Sequence, residues 1–400
     1  MRNLDELQGG VSRKSRTIAV VAGSLLLIAG LVIAKVHPPL PAGLTAVASP
    51  SPNHQRAATS GPVAGAEQPI GLQFLTRQIG WVFVTSRPRT SAAGLFATKD
   101  GGASWDLIFE GPPGSFHFFD AANGVLTSGT TFLTSDGGKS WRPVSRPPEA
   151  TAASLAFLSP TDALALGVAP LSGGGTALRL YRTTDAGTTW TVVVSGTPDA
   201  FGLTESEMPF LTLGYPSPSL AWVSAFSAGS EVQAVAVSRD GGMTWRRAPL
   251  QAPGPGLAAP APLLAPAGDH LTALASWGPK QLFAGPNGSV VINADVVAPA
   301  YEYTLGVQGW TRMYLVDASI GFSSLSPDGP DSAWVALGNL LCHVTPPLTS
   351  CHGALPSEPQ SFRFLQQVGT DLLAVDFGTQ LIVASGDRGS HWTIVKKPAD

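Results

Sequence analysis

Charge is scarce in this 400-residue chain. Asp, Glu, Lys and Arg make up 13% of it and the net charge is −3. No block of lysine and arginine follows the first 16 residues, so the basic stripe that a nucleic-acid backbone requires is absent. Cysteine is scarcer still, with Cys342 and Cys351 the only two, which excludes a disulfide-dense scaffold and the paired C-x-x-C modules that hold zinc or haem. There is no G-x-S-x-G elbow, no P-loop and no H-E-x-x-H, so the commonest hydrolase, nucleotide and metalloprotease sites have no starting point. No cofactor or metal is expected. What the chain has in plenty is glycine (45) and proline (35), the residues of many short strands joined by tight turns.

One long apolar run occurs, at 17–34, and helix of that length spans about 27 Å, near the roughly 30 Å of a bilayer's hydrocarbon core. Arg2, Arg13, Lys14 and Arg16 precede it and Lys35 alone follows closely, so the positive-inside rule keeps the N-terminus cytoplasmic and exports the rest. The expected organisation is a cytoplasmic tail (1–16), a transmembrane signal-anchor helix (17–36), a Pro/Ala/Ser-rich tether (37–69) and an exported domain (70–400), at the cell membrane. A cleaved signal peptide, with Ala46-Val47-Ala48 as the cleavage site, is the alternative.

The exported part carries one octapeptide five times: TKDGGASW ending at Trp105, TSDGGKSW at Trp141, TTDAGTTW at Trp190, SRDGGMTW at Trp245 and SGDRGSHW at Trp392. Apolar-alternating runs flank each copy, the sequence of a β-hairpin about an Asp-Gly turn. Asp100, Asp136, Asp185, Asp240 and Asp387 are placed to accept bonds from backbone N–H groups two residues on, as in an Asx-turn. Gly102, Gly138, Gly187, Gly242 and Gly389 supply a positive φ, and the Trp covers the turn. One carboxylate per copy is too few for a calcium loop.

A second register pairs two strands across a short turn, starting at Gly71, Ser115, Ser154, Phe210, Leu271, Gly321 and Ser361, at intervals of roughly 40 to 60 residues, the size of a four-stranded propeller blade. Seven starts predict seven blades. The boxes fall in units one to four and seven. In the fifth unit SVVINADV and GWTRM are the expected last two strands, with Trp310 in the place of a box Trp. In the sixth, LLCHV and SCHG form the hairpin. A Cys342–Cys351 disulfide there, worth about 2–3 kcal/mol for a loop of this size, would replace the missing Asp turn. Free thiols, or a zinc site completed by His343 and His352, are the alternatives, the latter without the usual ligand spacing. Ala248 to Gly268 is expected to be a surface loop, and the ends are expected to meet as whole blades.

These octapeptides resemble the Asp-box (bacterial neuraminidase repeat) β-propellers, and in their DGG-x-[ST]-W form are most similar to the photosystem II assembly or stability factor-like members. The resemblance covers roughly residues 70 to 397. It implies an all-β, seven-bladed propeller whose boxes join the third and fourth strands of a blade, away from the functional face. It also implies a non-catalytic scaffold or recognition module for an envelope or membrane protein, binding through arginines; Arg77, Arg87 and Arg89 are the one loose cluster. A sialidase-like glycoside hydrolase or a cell-surface glycan-binding protein is the alternative. The sialidase F/Y-R-I-P signature is missing, however. Phe362-Arg363-Phe364-Leu365 lacks Ile and Pro, and Tyr301-Glu302-Tyr303 has nucleophile chemistry without arginine partners. The Tyr/Glu string reads as an amphipathic strand, His117 as a strand residue and Arg246-Arg247 as a solvated edge.

Overall fold

The computed structural model describes residues 67–86, 93–147, 153–170, 175–204, 210–226, 234–249, 362–376 and 381–395, together with the strands named below between 257 and 353. These residues form seven antiparallel four-stranded sheets and two small two-stranded ones. Six sheets are regular blades, each built from four consecutive strands. Blade A comprises Glu67–Phe74, Gly80–Ser86, Ala93–Thr98 and Asp106–Gly111. Blade B comprises Ser115–Phe118, Gly124–Ser128, Thr130–Thr134 and Arg142–Pro143. Blade C comprises Ala153–Phe157, Ala163–Pro170, Thr176–Thr183 and Thr191–Gly196. Blade D comprises Phe210–Gly214, Ala221–Phe226, Ala234–Ser238 and Arg246–Arg247. Blade E comprises Phe322–Gly329, Ser332–Leu337, Leu340–Thr345 and Leu348–Gly353. Blade F comprises Phe362–Val368, Asp371–Asp376, Leu381–Ser385 and Thr393–Ile394.

Between blades D and E lies an interrupted sheet. Its strands Leu263–Ala267, His270–Ser276, Ala300–Gly306 and Gly309–Val316 are split by an inserted hairpin, Leu282–Ala284 with Val290–Ile292. The expectation of seven equivalent blades behind a transmembrane helix is therefore corrected: the propeller has six regular blades, and no helix among the described residues is long and apolar enough to cross a membrane. The apolar run and the tether to residue 66 lie outside the described residues, and the first strand begins at Glu67, inside the expected tether.

The fifth unit was misread by one strand. LTALAS, expected to lead, is the second strand and pairs with Leu263–Ala267, which had been assigned to a surface loop. Its third strand is Ala300–Gly306, carrying Tyr301-Glu302-Tyr303, whereas Val290–Ile292 of SVVINADV belongs to the inserted hairpin. Trp310 lies within the fourth strand, opposite Leu305. Pro266 hid the leading strand, because proline is tolerated at a sheet edge but reads in sequence as loop.

The core lies between blades. Second strands are sandwiched by a sheet on either side and so are apolar at successive positions: Trp81, Val82 and Phe83 in blade A are all nearly inaccessible. Fourth strands form the outer rim and are largely exposed. First strands of neighbouring blades touch, A with B, C with D, E with F and F with A, and close the ring around an axis. At the closure, Phe74, Val82 and Phe96 pack against Leu373, Val375 and Ile382. Each such buried side chain contributes roughly 1.5–3 kcal/mol. Among the described residues, the first and last blades each draw all four strands from consecutive chain.

Candidate functional site: box turns and inner rim

All five boxes fold alike. In blade A the Thr98 hydroxyl donates to Asp100 Oδ1 at 2.8 Å and accepts from the Gly102 N–H at 2.8 Å. The Ser104 N–H donates to Asp100 Oδ1 at 2.8 Å and the Ser104 hydroxyl to Oδ2 at 2.6 Å. The same set recurs about Asp136, Asp185 and Asp240. In blade F, His391 takes the hydroxyl's place, its Nδ1 2.5 Å from Asp387 Oδ2. The aspartate thus bonds four residues on, not two as an Asx-turn would.

These bonds favour the ionised carboxylate. The Ser104, Thr189 and His391 donors hold Asp100, Asp185 and Asp387 at about 2, against an ordinary 3.8. At Asp136 and Asp240 partial burial opposes the shift, but bonds from Ser140 and Thr244 outweigh it and the direction is still downward.

Each box also joins its blade to the one before. The box glycines have φ between 78 and 96°. A Cβ on Gly102 would lie 2.3 Å from Val395 of blade F, on Gly138 2.6 Å from Ile108 of blade A, and on Gly187 2.3 Å from Val144 beyond blade B. Gly242 similarly abuts Leu180 and Gly389 abuts Leu341. Trp141 Nε1 donates to the Ile108 carbonyl and Trp190 Nε1 to that of Ser145, both at 2.9 Å across the seam. Trp105 packs among blade F residues, Trp392 stacks on Phe362 at 4.9 Å, and Trp245 bonds back to Gly242 of its own box. The Trp fills a seam between blades as well as lying against its own turn, as Trp105, Trp190 and Trp245 do, and the seam contact is a long-range role that no octapeptide reveals.

Of the arginine cluster, Arg77 alone lies among the described residues. Arg77 sits in the turn between the first two strands of blade A and reaches Asp371 of blade F at 3.4 Å, a tie across the closure. Arg87 and Arg89 lie outside the described residues. Arg246 and Arg247 are exposed on the rim. The Phe362-Arg363-Phe364-Leu365 string opens blade F's first strand, where the register slips and Phe364 takes φ 53°. Cys342 is buried and stands opposite Cys351 in the blade E ladder; His343 lies 2.7 Å from Asp328 and stacks on Trp334. Among the described residues no three metal-ligating groups gather.

What sequence reading missed is the inner rim. Gln73, His117, Ser326 and Gln366 occupy one rung of their first strands, opposite Trp81, Val125, Trp334 and Leu373. Gln366 bridges to blade A with both amide atoms: the Phe74 N–H donates to Oε1 and Nε2 donates to the Phe74 carbonyl, each at 2.7 Å. Gln73 does the same to Phe118 of blade B at 2.8 Å. Ser326 makes half of this clamp, accepting from Gln367 N–H at 3.2 Å. Two residues earlier on their first strands, Ser154 and Ser324 accept from the Leu213 and Leu365 N–H groups. A first strand is an unpaired sheet edge, and these side chains cap it.

His117 is in its expected strand, with Nδ1 3.4 Å from Gln73 Nε2 and its ring edge-on to Phe119 at 4.9 Å. It remains accessible, yet protein crowds it enough for burial to push its imidazole below the ordinary value.

No family model and no curated protein matches the chain. Solved structures do. The structure of YCF48 bound to D1 peptide matches 82% of this chain and 97% of its own, with TM-score 0.50 at 18% identity. A Mycobacterium tuberculosis puromycin-hydrolyzing peptidase matches 85% of this chain and 55% of its own, with TM-score 0.55 at 13% identity. YCF48 from Cyanidioschyzon merolae matches 82% and 88%, at TM-score 0.43 and 14% identity. At such identities the likeness is one of fold. It supports a β-propeller without assigning the chain to the Asp-box family that its octapeptides resemble.

Proposed function

We propose that this propeller is a non-catalytic recognition module, a rigid ring that holds a segment of another protein as assembly or stability factors do. The observation that carries the reading is the use made of the box carboxylates. Each has both oxygens bonded within its own turn, so the repeated acidic residues serve the ring and not a substrate. The shared fold with a propeller solved with a bound peptide adds support. In this proposal the ring lies outside the cytoplasm, a reading supported by the charge asymmetry of residues 1–35.

The test is mild crosslinking of the tagged full-length chain in its native membranes, followed by affinity purification and mass spectrometry. A stoichiometric protein partner is expected. Repeated failure to find one, with turnover of a sialoside or another glycan by the purified protein, would replace this reading with a glycosidase.

A further inference from the structure

Four seams between adjoining blades repeat one pair of apolar side chains, and one of the four leaves its pair partly uncovered. Trp81, Val125, Leu164 and Leu373 hold one position of their second strands, opposite Gln73, His117, Ala156 and Gln366. Each packs in the same apolar cluster as a first-strand residue of the next blade: Trp81 with Phe118, Leu164 with Tyr215, Leu373 with Phe74, and Val125 with Phe157. In the first three pairs no member is more than 3% exposed. Val125 and Phe157 are both partly exposed.

The cause is side-chain size. Valine is the smallest residue at that position in the six regular blades, since blades D and E have Trp222 and Trp334 there. Towards the rim the B–C seam is closed by buried Leu133, Val144 and Ala186, with Trp190 against them. Towards the axis it is lined by Val125, Leu155 and Phe157, beside exposed His117, which shares a sheet face with its cross-strand partner Val125. The seam is a wedge, filled outside and open inside. At the C–D seam Ala156 stands on the rung of His117, yet Leu164 and Tyr215 are buried, so a short first-strand side chain does not by itself open a seam. What fits such a space is visible one seam away, where Trp81 lies parallel to Phe118 with ring centroids 3.9 Å apart.

We infer that the axial side of the B–C seam is a docking groove for one aromatic side chain, a tryptophan or phenylalanine on the protein segment that the ring holds. Its ring stacks on Phe157 as Trp81 stacks on Phe118, and covers Val125. Protein interiors are packed as densely as organic crystals, so a seam left open along one edge gains contacts by taking in a ring of that size. The groove gives the partner an apolar anchor on a molecule that has little charge to offer. The inference rests on the recognition reading above and names the group recognised.

The test uses isotope-labelled full-length protein with indole as the probe. Indole should shift the Val125 methyl and Phe157 amide resonances saturably and leave the Leu164 methyls, in the closed C–D seam, unmoved. Val125→Trp fills the groove from within, so its Phe157 response should weaken about ten-fold or more. The same variant should raise the urea midpoint, as filling an open space does, and should capture less partner than the native chain. If it does not fold, Val125→Leu, which copies Leu164, takes its place. No saturable response, an equal response at Leu164, an unchanged response in a folded variant, or a lowered urea midpoint would each overturn the inference. Undiminished partner capture by a folded variant overturns this inference alone. An indole response with no partner for the native chain overturns only the recognition reading.

Discussion

Blades B and E close their outer hairpins by opposite means. In blade B the fourth strand is two residues long, pairing through Phe132–Pro143 and Leu133–Arg142 with a further Val144 N–H bond to the Thr131 carbonyl, while the Thr134, Asp136, Gly138 and Ser140 network holds the turn. Blade E has no box. Its fourth strand is six residues long, pairs along its whole length with the third, and sets Cys351 opposite Cys342. Blades D and F, both boxed, also have two-residue fourth strands, whereas the boxed blades A and C have six-residue ones. A box therefore holds its turn whether the strand that follows is short, as in blades B, D and F, or long, as in blades A and C.

A second pairing of unlike blades follows the same logic. Arg182 of blade C forks onto Asp162, with Nε and Nη2 at 3.1 and 2.7 Å. In blade E, His343 stands on the corresponding third-strand rung and meets Asp328 at 2.7 Å. The geometric tie is kept while a guanidinium is exchanged for an imidazole.

The largest effect should come from crowding a boxed seam. Gly102→Ala combines a left-handed backbone penalty with overpacking against Val395, together roughly 2–5 kcal/mol of lost stability by urea denaturation. Adding Val395→Ala should return part of the loss. If it returns none, the seam contact is not what the glycine serves.

Blade E should instead depend on its cysteines. We predict that thiol labelling of the unreduced, exported protein finds no reactive cysteine, and that Cys342→Ser costs about 2–3 kcal/mol. Stoichiometric labelling would refute the pairing and leave the long ladder as the hairpin's only staple.

Removing a box carboxylate is expected to cost less. Asp136→Ala should lower stability by about 1–2 kcal/mol, the scale of a lost cap bond. Box stabilisation should also depend on acid. The folded carboxylates titrate below the unfolded 3.8, three of them at about 2, so their contribution is present above the unfolded value and disappears as pH falls through that window. A urea midpoint that does not change between about pH 5 and about pH 2 would contradict the network.

The smallest effect separates the two turn positions. Ala186 and Arg388 stand where other boxes have a first glycine, at φ 63 and 58°. Replacing either with glycine should stabilise by about 1 kcal/mol, since that position needs only the backbone conformation. The second glycine needs both the conformation and the space.

Much of this architecture is local, and to that extent legible in the sequence. The octapeptide fixes a turn within eight residues, and alternation marks the strands beside it, so blades A to D, E and F could be read from spacing. The interrupted sheet was misplaced because Pro266 and the Pro/Ala run around it hide an edge strand, while the inserted hairpin supplies a false third strand. The seam roles of Trp141, Gln73 and Gln366 were invisible for another reason. Their partners lie 33, 45 and 292 residues away, and the same rung is filled by Gln, His, Ala or Ser according to the seam. Sequence periodicity reports what every blade shares; the inner rim is where the blades differ.

The measurement that tests the account most directly is crosslinked partner capture by Asp136→Ala, made at a temperature where the variant is still folded. If the boxes build the ring and recognition lies elsewhere, capture should equal that of the native protein. Capture lost from a folded Asp136→Ala chain would show that the boxes themselves are the binding surface.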